Sequence, residues 1–134
     1  MKKRYLAKII AKDKEGLNLI SAYCSQSKIK VSNIKYLKQN KILLISLKRI
    51  SNESNNKNKL VNSIIKFDYI DIVKSKNIDQ QNKEQELELV TIDCLKTNNN
   101  FEIILAFSKK NTYITLLTEV IEVNLEDQND KSAG

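Results

Sequence analysis

The chain has 134 residues, with 23 lysines and arginines against 16 aspartates and glutamates, and it contains no histidine. The missing histidine argues against Ser-His-Asp or Cys-His nucleophiles and against imidazole-ligated metals. Only two glycines are present, which argues against a glycine-rich phosphate loop. No apolar stretch reaches transmembrane length. The sequence therefore predicts one small soluble domain that uses no cofactor, no metal and no membrane.

The charge is distributed unevenly along the chain. Residues 1–83 carry 19 basic and 6 acidic residues, a net charge of +13, whereas residues 84–134 carry 4 and 10, a net charge of −6. We expect the two halves to pair within one sheet, since this requires no partner; an electrostatic dipole and head-to-tail association are the alternatives. All but two of the basic residues are lysine, a bias that composition alone explains.

The N-terminal segment predicts a strand followed by a helix. Residues Tyr5–Ala11 have the length and alternation of a strand, with Tyr5, Ala7, Ile9 and Ala11 on one face. Asp13 is a helix N-cap candidate, and Glu15 in the first turn suits the positive end of the helix dipole. The helix is expected to run to about Gln26. Its apolar face is formed by Leu17, Ile20 and Cys24.

After this helix the apolar period changes to two. One strand is predicted at Lys28–Val31, and a phase slip at Ser32–Asn33 leads to another that contains Ile34 and Tyr36. The inward positions of the next strand, Ile42–Lys48, are Leu43, Ile45 and Leu47. The polar segment Ser51–Lys59 predicts a surface loop. Residues 60–66 fit a helical turn and a strand equally well, so both interpretations stay open.

The second half of the chain reads as a series of strands and turns. A strand is predicted at Tyr69–Ser75, and the strand around Leu89–Val90 changes apolar phase, which predicts a β-bulge. Turns are predicted at Asn98–Asn100, where asparagine tolerates positive φ, and at Lys109–Asn111. The strands beside these turns are predicted at Phe101–Phe107 and Tyr113–Leu117. For residues 117–125 the β-branched content favours a strand over a helix.

Together these elements predict an α+β domain over residues 1–127, with a frayed polar tail at 128–134. One N-terminal helix packs on a mostly antiparallel sheet of roughly six to eight strands, or on a partly closed barrel. A pleckstrin-like barrel that ends in a short helix is one variant of this fold.

The cysteines and the close carboxylate pairs are better explained by structural roles than by catalysis or metal binding. Cys24 and Cys94 lie at apolar positions without a ligand motif, which predicts buried thiols. Together with an N-terminus unlike a signal peptide, they indicate a reducing cytoplasmic setting. The close carboxylate pairs are expected to be solvated strand faces; they are Asp68 with Asp71, Glu86 with Glu88, and Glu119 with Glu122.

Several spaced fragments are similar to an uncharacterised bacterial family, domain-of-unknown-function family 2948. They lie at Asp13–Ala22, Tyr36–Leu37, Phe67–Asp79 and Glu119–Asp127, with Arg49 and Glu53 after a strand. The resemblance covers nearly the whole chain and implies no activity. It draws attention to four polar positions that the core does not need, Arg49, Ser75, Asp79 and Glu122.

These four residues are the candidate binding site. Arg49 has the planar donor fork that lysine lacks, which predicts a bidentate contact with a carboxylate or phosphate. Asp79 or Glu122 is a possible internal partner for it. Hydrogen bonding at turns and strand ends is the structural interpretation of the same residues.

The sequence thus predicts a non-catalytic module that binds a protein partner. The alternative is nucleic-acid binding by the lysine-rich face of residues 28–49, with Tyr36 as a stacking ring.

Overall fold

In the computed structural model, which describes residues 6–51 and 59–128, the chain forms one α-helix and ten β-strands. The helix, α1, spans Lys14–Cys24. The strands are β1 (Lys8–Ala11), β2 (Lys28–Lys30), β3 (Ile34–Leu37), β4 (Ile42–Ser51), β5 (Lys59–Phe67), β6 (Ile70–Lys76), β7 (Glu86–Thr97), β8 (Asn100–Phe107), β9 (Tyr113–Thr118) and β10 (Val123–Asp127). Most of the predicted loop Ser51–Lys59 and the tail 129–134 lie outside the described residues.

All of the strands join one antiparallel sheet, in the order β1-β10-β5-β4-β2-β7-β8-β9-β6, with β3 paired to β4 beside β2. The sheet is not closed into a barrel, although it curls far enough for its two halves to touch. The amide of Ile70, where β6 begins, donates to the carbonyl of Lys41, just before β4. The predicted α+β fold with one N-terminal helix and a mostly antiparallel sheet is confirmed.

The core lies inside the curled sheet, because the strands alternate between buried and exposed side chains. Leu43, Ile45 and Leu47 face inward on β4, as predicted. Helix α1 covers the open side with its buried face of Leu17, Ile20 and Cys24. Removal of this apolar surface from water drives the packing.

The helix begins and docks through two side-chain hydrogen bonds. Asp13 Oδ1 accepts from the amide of Gly16 at 2.8 Å, which confirms the predicted N-cap. On the helix, Ser21 Oγ accepts from the amide of Ile92 at 2.9 Å. This contact falls beside the predicted bulge, where the register of β7 against β8 shifts between Leu89 and Thr91. The bulge thus helps a strand amide to bond to the helix.

The two segments that the sequence left open form strands and a bend. Residues 60–66 belong to β5, where Ser63, Ile65 and Phe67 are buried at a period of two. Residues 117–125 are divided: β9 ends at Thr118, and β10 begins at Val123 after a bend. Strand β10 lies between β5 and β1, and the short terminal helix of the pleckstrin-like variant does not occur within the described residues.

One turn prediction was correct for the wrong reason. The β7–β8 hairpin turns at Asn98–Asn99, but neither residue has a positive φ. By contrast, Asn111 in the β8–β9 turn has φ 57°. Of the residues that the structure describes, none form a helix with the length and apolar composition that membrane crossing requires.

Gly16 is required by a close contact rather than by its backbone freedom. A Cβ at this position would lie 2.9 Å from the Cα of Ala11 on β1. We expect Gly16→Ala to lower the free energy of unfolding by about 1–3 kcal/mol through this overpacking, although alanine is the better helix former. Urea unfolding measures the change.

The matched control is Asn18→Ala, an exposed position of the same helix. There the alanine should leave stability unchanged or raise it slightly, since only helix propensity changes. A Gly16→Ala protein as stable as Asn18→Ala would contradict the crowding at Ala11.

Candidate functional site

Arg49, the first of the predicted site residues, is a buried member of an ion pair. Its side chain is 1% exposed at the end of β4. Nε donates to Oδ1 of Asp127 at 2.8 Å, and Nη2 donates to Oδ2 at 2.6 Å. The guanidinium also lies over the ring of Tyr23, 5.2 Å from its centroid. The predicted bidentate carboxylate contact exists, but Asp127 makes it, rather than Asp79 or Glu122.

Two groups besides Arg49 donate hydrogen bonds to the Asp127 carboxylate. Ser63 Oγ donates to Oδ1 at 2.6 Å, and the amide of Ala7 donates to Oδ2 at 2.7 Å. Burial raises the pKa of Asp127, but the hydrogen bonds from Arg49, Ser63 and Ala7 outweigh it, so the pKa lies below its ordinary value. The carboxylate is charged and its acceptor sites are filled, which is the condition of a structural ion pair.

The register explains why these side chains meet. Ser63 on β5 is directly opposite both Leu47 on β4 and Asp127 on β10. Arg49 and Asp127 occupy inward positions, in phase with buried aliphatic side chains of their own strands. The sequence signal for this pair is a charged residue at a position that the strand pattern predicts to be buried. Asp127 was not recognised by this signal.

A second feature is the β3–β6 groove, a cavity lined by residues of these two strands, which do not pair with each other. The strands approach at one end, where the hydroxyl of Tyr36 donates to the carbonyl of Ile70 at 2.7 Å. Residues of both strands also line a cavity of about 310 Å³. Its apolar lining consists of Val31, Ile34, Leu43, Val73, Ile78 and Ile114, and its polar lining consists of Tyr36, Ser75 and Gln80.

Of the predicted site residues, Ser75 lines the groove, and Asp79 lies in the turn that follows β6. Ser75 is an exposed lining residue of β6 whose hydroxyl accepts from Gln80 Nε2 at 3.0 Å. Asp79 follows β6, and its carboxylate accepts from the amide of Gln81 at 2.9 Å. The turn that Asp79 stabilises holds Gln80 against Ser75, so both residues shape one border of the groove.

Strand β6 gives the groove an unusual wall. It is the last strand in the sheet order and pairs with β9 alone. At the start of β6, the amide of Ile70 donates to the carbonyl of Lys41. The hydroxyl of Tyr36 donates to the carbonyls of Ile70 and Asp71. From Ile72 to Lys76, within the described part of the chain, the outer edge has no backbone partner. An extended strand with one open edge can accept another strand.

Glu122, the last predicted site residue, lies elsewhere. It borders a cleft of about 600 Å³ at the end of the sheet, together with Lys12, Lys41, Tyr69, Asp71 and Glu119. There Lys41 Nζ lies 2.9 Å from Asp71 Oδ1, and this hydrogen bond raises the pKa of the lysine. The carbonyl of Glu122 accepts from the amide of Asp68, so Glu122 also connects two loops.

The lysine-rich face of residues 28–49 is neutralised only in part: Lys28, Lys30 and Lys41 form ion pairs, whereas Lys35, Lys38 and Lys48 form none with the described residues. Lys28 lies 3.1 Å from Glu88, and Lys30 lies 3.4 Å from Glu84. Arg49 is buried, and Tyr36 is half-buried with its hydroxyl bonded to β6. These ion pairs join the basic and acidic parts of the chain, as expected from the charge distribution.

The two cysteines are buried and free, as predicted. Burial raises the pKa of the Cys24 thiol to about 12, even though the Arg49 charge opposes this, and burial also raises the pKa of Cys94. Both are therefore thiols at neutral pH rather than nucleophilic thiolates. Among the described residues there is no group of three potential metal ligands.

The four predicted site residues thus fall at three places. Ser75 lines the groove and Asp79 stabilises the adjacent turn, Arg49 lies in the buried ion pair, and Glu122 lines the cleft. The sequence analysis missed Val73 and Gln80 as groove residues. Val73 was visible only as an ordinary apolar position of a strand, because a groove depends on which strands fail to pair.

The structure defines a small α+β domain with a curled, antiparallel sheet in which β6 is one of the edge strands. The family model described as "Protein of unknown function (DUF2948)" matches residues 7–133, nearly the whole chain. The chain belongs to this family, which confirms the resemblance seen in the sequence. Comparisons with curated proteins and with solved structures found no match.

Proposed function

We propose that this protein is a protein-binding module that holds an extended segment of its partner in the β3–β6 groove. The segment pairs with the outer edge of β6 and places alternate side chains in the cavity. The observation that carries the proposal is the open edge of β6 beside an apolar groove. This is the arrangement on which strand addition depends, since backbone bonds supply affinity and side-chain pockets supply selectivity.

The backbone of β6 is prepared for such a contact. Its pairing with β9 fixes Ile72–Lys76 in an extended conformation. A partner strand therefore meets hydrogen-bonding groups that are already aligned, so little conformational entropy is lost on this side.

The size and lining of the groove suit side chains of a partner. A volume of about 310 Å³ lies at the small end of ligand pockets, which span roughly 300–1,000 Å³. Aliphatic groups such as Val73 and Ile114 form most of the wall, whereas Ser75 and Gln80 offer polar atoms at one end. These features favour a few inserted apolar side chains.

The alternative, nucleic-acid binding by residues 28–49, receives less support. The stacking role asked of Tyr36 conflicts with the position of its ring in the groove wall. The ion pairs of Lys28 and Lys30 reduce the positive charge of that face.

Selection of random linear peptides displayed on phage tests the proposal. Peptides selected on the wild-type protein should lose about tenfold or more in affinity for Ser75→Trp, because the indole fills the groove. The matched control is Ser108→Trp, since Ser108 is an exposed serine outside the groove. It should bind the same peptides as the wild type does.

Hydrogen exchange provides a second measurement that does not depend on a variant. A bound peptide should slow amide exchange within Ile72–Lys76, because new backbone bonds form at this edge. Failure to select any peptide, or selected peptides that bind Ser75→Trp as well as the wild type, would overturn the proposal.

A further inference from the structure

We infer that the segment recognised by the β3–β6 groove alternates apolar and acidic side chains. This inference rests on the proposed function and deepens it by stating the chemistry of the partner. It is drawn from three lysines on the two strands that border the groove, Lys35 on β3 and Lys74 and Lys76 on β6.

The alternation of each strand fixes where these lysines lie. On β3, Ile34 and Tyr36 line the groove, so Lys35 between them lies on the opposite, outer face. On β6, Val73 and Ser75 line the groove, and Lys74 and Lys76 lie on the outer face in the same way. A strand in the gap would therefore have lysines on both sides of its outward-facing residues.

These lysines differ from others nearby because their charges are not neutralised. No carboxylate among the described residues forms an ion pair with Lys35, Lys74 or Lys76, all of which are exposed. By contrast, Lys41 at the closed end of the groove is paired with Asp71. Outward-facing acidic side chains of a bound strand would supply the missing partners, since opposite charges on neighbouring strands attract.

The inward-facing positions of the bound strand meet a different surface. They would contact the aliphatic wall formed by Ile34, Leu43, Val73 and Ile114. Apolar side chains fit this wall, whereas charged ones would be desolvated there without a partner. Because successive residues of a strand face opposite sides, the two requirements alternate along the segment.

Titration of short synthetic peptides tests this chemistry. The probes alternate valine with glutamate, with glutamine or with lysine, and binding is measured by calorimetry on the full chain. The glutamate peptide should bind about tenfold tighter than the glutamine peptide, and this preference should weaken with added salt. The lysine peptide should bind weakest.

A charge-reversed protein and its matched control locate the effect. In Lys74→Glu/Lys76→Glu the preference should invert in favour of the lysine peptide. Lys109→Glu/Lys110→Glu makes the same change of charge in the β8–β9 turn and should keep the wild-type preference. All four positions are exposed, so neither variant disturbs the core.

The outcomes separate this inference from the proposed function. Equal binding of all three peptides, abolished by Ser75→Trp, overturns the acidic preference and leaves strand addition standing. The acidic preference is likewise overturned, and strand addition stands, if phage selection on the groove returns only peptides that do not alternate apolar and acidic residues. If no peptide binds in either experiment, both proposals fail. A single-stranded oligonucleotide that displaces the glutamate peptide would overturn the inference in favour of a nucleic-acid ligand.

Discussion

Replacement of Asp127 by alanine is expected to lower the free energy of unfolding by about 3–5 kcal/mol, the range for removal of one partner from a buried ion pair. The guanidinium of Arg49, which is 1% exposed, would lose both of its bonds to the carboxylate. Ser63 and the amide of Ala7 would lose their acceptor as well. Urea unfolding at neutral pH measures the loss.

The pH dependence gives this prediction a second readout. The folded-state pKa of Asp127 lies below its ordinary value of 3.8. The group therefore contributes stability that is fully present above a pH of about 4 and is lost as the pH falls through the folded-state pKa. The stability difference between wild type and Asp127→Ala should shrink over the same acid range. A constant difference down to low pH would contradict the assignment.

A double substitution separates the cost of removing one partner from the value of the pair. Arg49→Met together with Asp127→Leu replaces both charges by apolar groups. This protein should be markedly more stable than Asp127→Ala, since it contains no buried guanidinium that has lost its bonds to the Asp127 carboxylate. If the double variant is as unstable as the single one, packing around the pair rather than its charge accounts for the loss.

Phe67→Ala is expected to destabilise the protein by a similar amount, about 3–5 kcal/mol, through a different mechanism. Phe67 is fully buried at the end of β5, where its register partners are Leu43 on β4 and Val123 on β10. Removal of the ring leaves a cavity at the junction of three strands. The loss should be independent of pH, because no titrating group is involved.

The comparison for this variant is Phe101→Ala, since Phe101 is only partly buried. It should cost clearly less in the same urea experiment, because its ring loses less contact with the core. Equal losses for the two variants would show that burial of Phe67 does not determine its contribution.

Much of the fold could be predicted from the sequence, because the apolar residues of its strands recur at a period of two. On β4, Leu43, Ile45 and Leu47 recur at a period of two, and the structure buries this face of the strand more fully than the other. The same logic located the bulge near Leu89, because a change of apolar phase within a strand requires an extra residue. Asp13 could be identified because an N-cap is a local contact.

The candidate site could be predicted from the sequence only in part. The planar donors of Arg49 pointed to a carboxylate, but the partner is 78 positions away in the chain, and the register of three strands selects it. Residues 117–125 were ambiguous because Leu117, Val120, Ile121 and Leu125 fit a helical face as well as a strand. In the structure, the part of this segment from Val123 onward is a strand, because β10 pairs with both β5 and β1.

By itself the sequence determined the local elements of this protein, since caps, apolar periods and turn residues act over a few neighbours. It also indicated many of the buried apolar side chains and that its basic and acidic parts would attract each other. Tertiary structure alone decided that Asp127 joins Arg49 and that β3 and β6 approach without pairing. These outcomes depend on the order of strands in space, because strand order results from contacts summed over the whole sheet and no short segment encodes it.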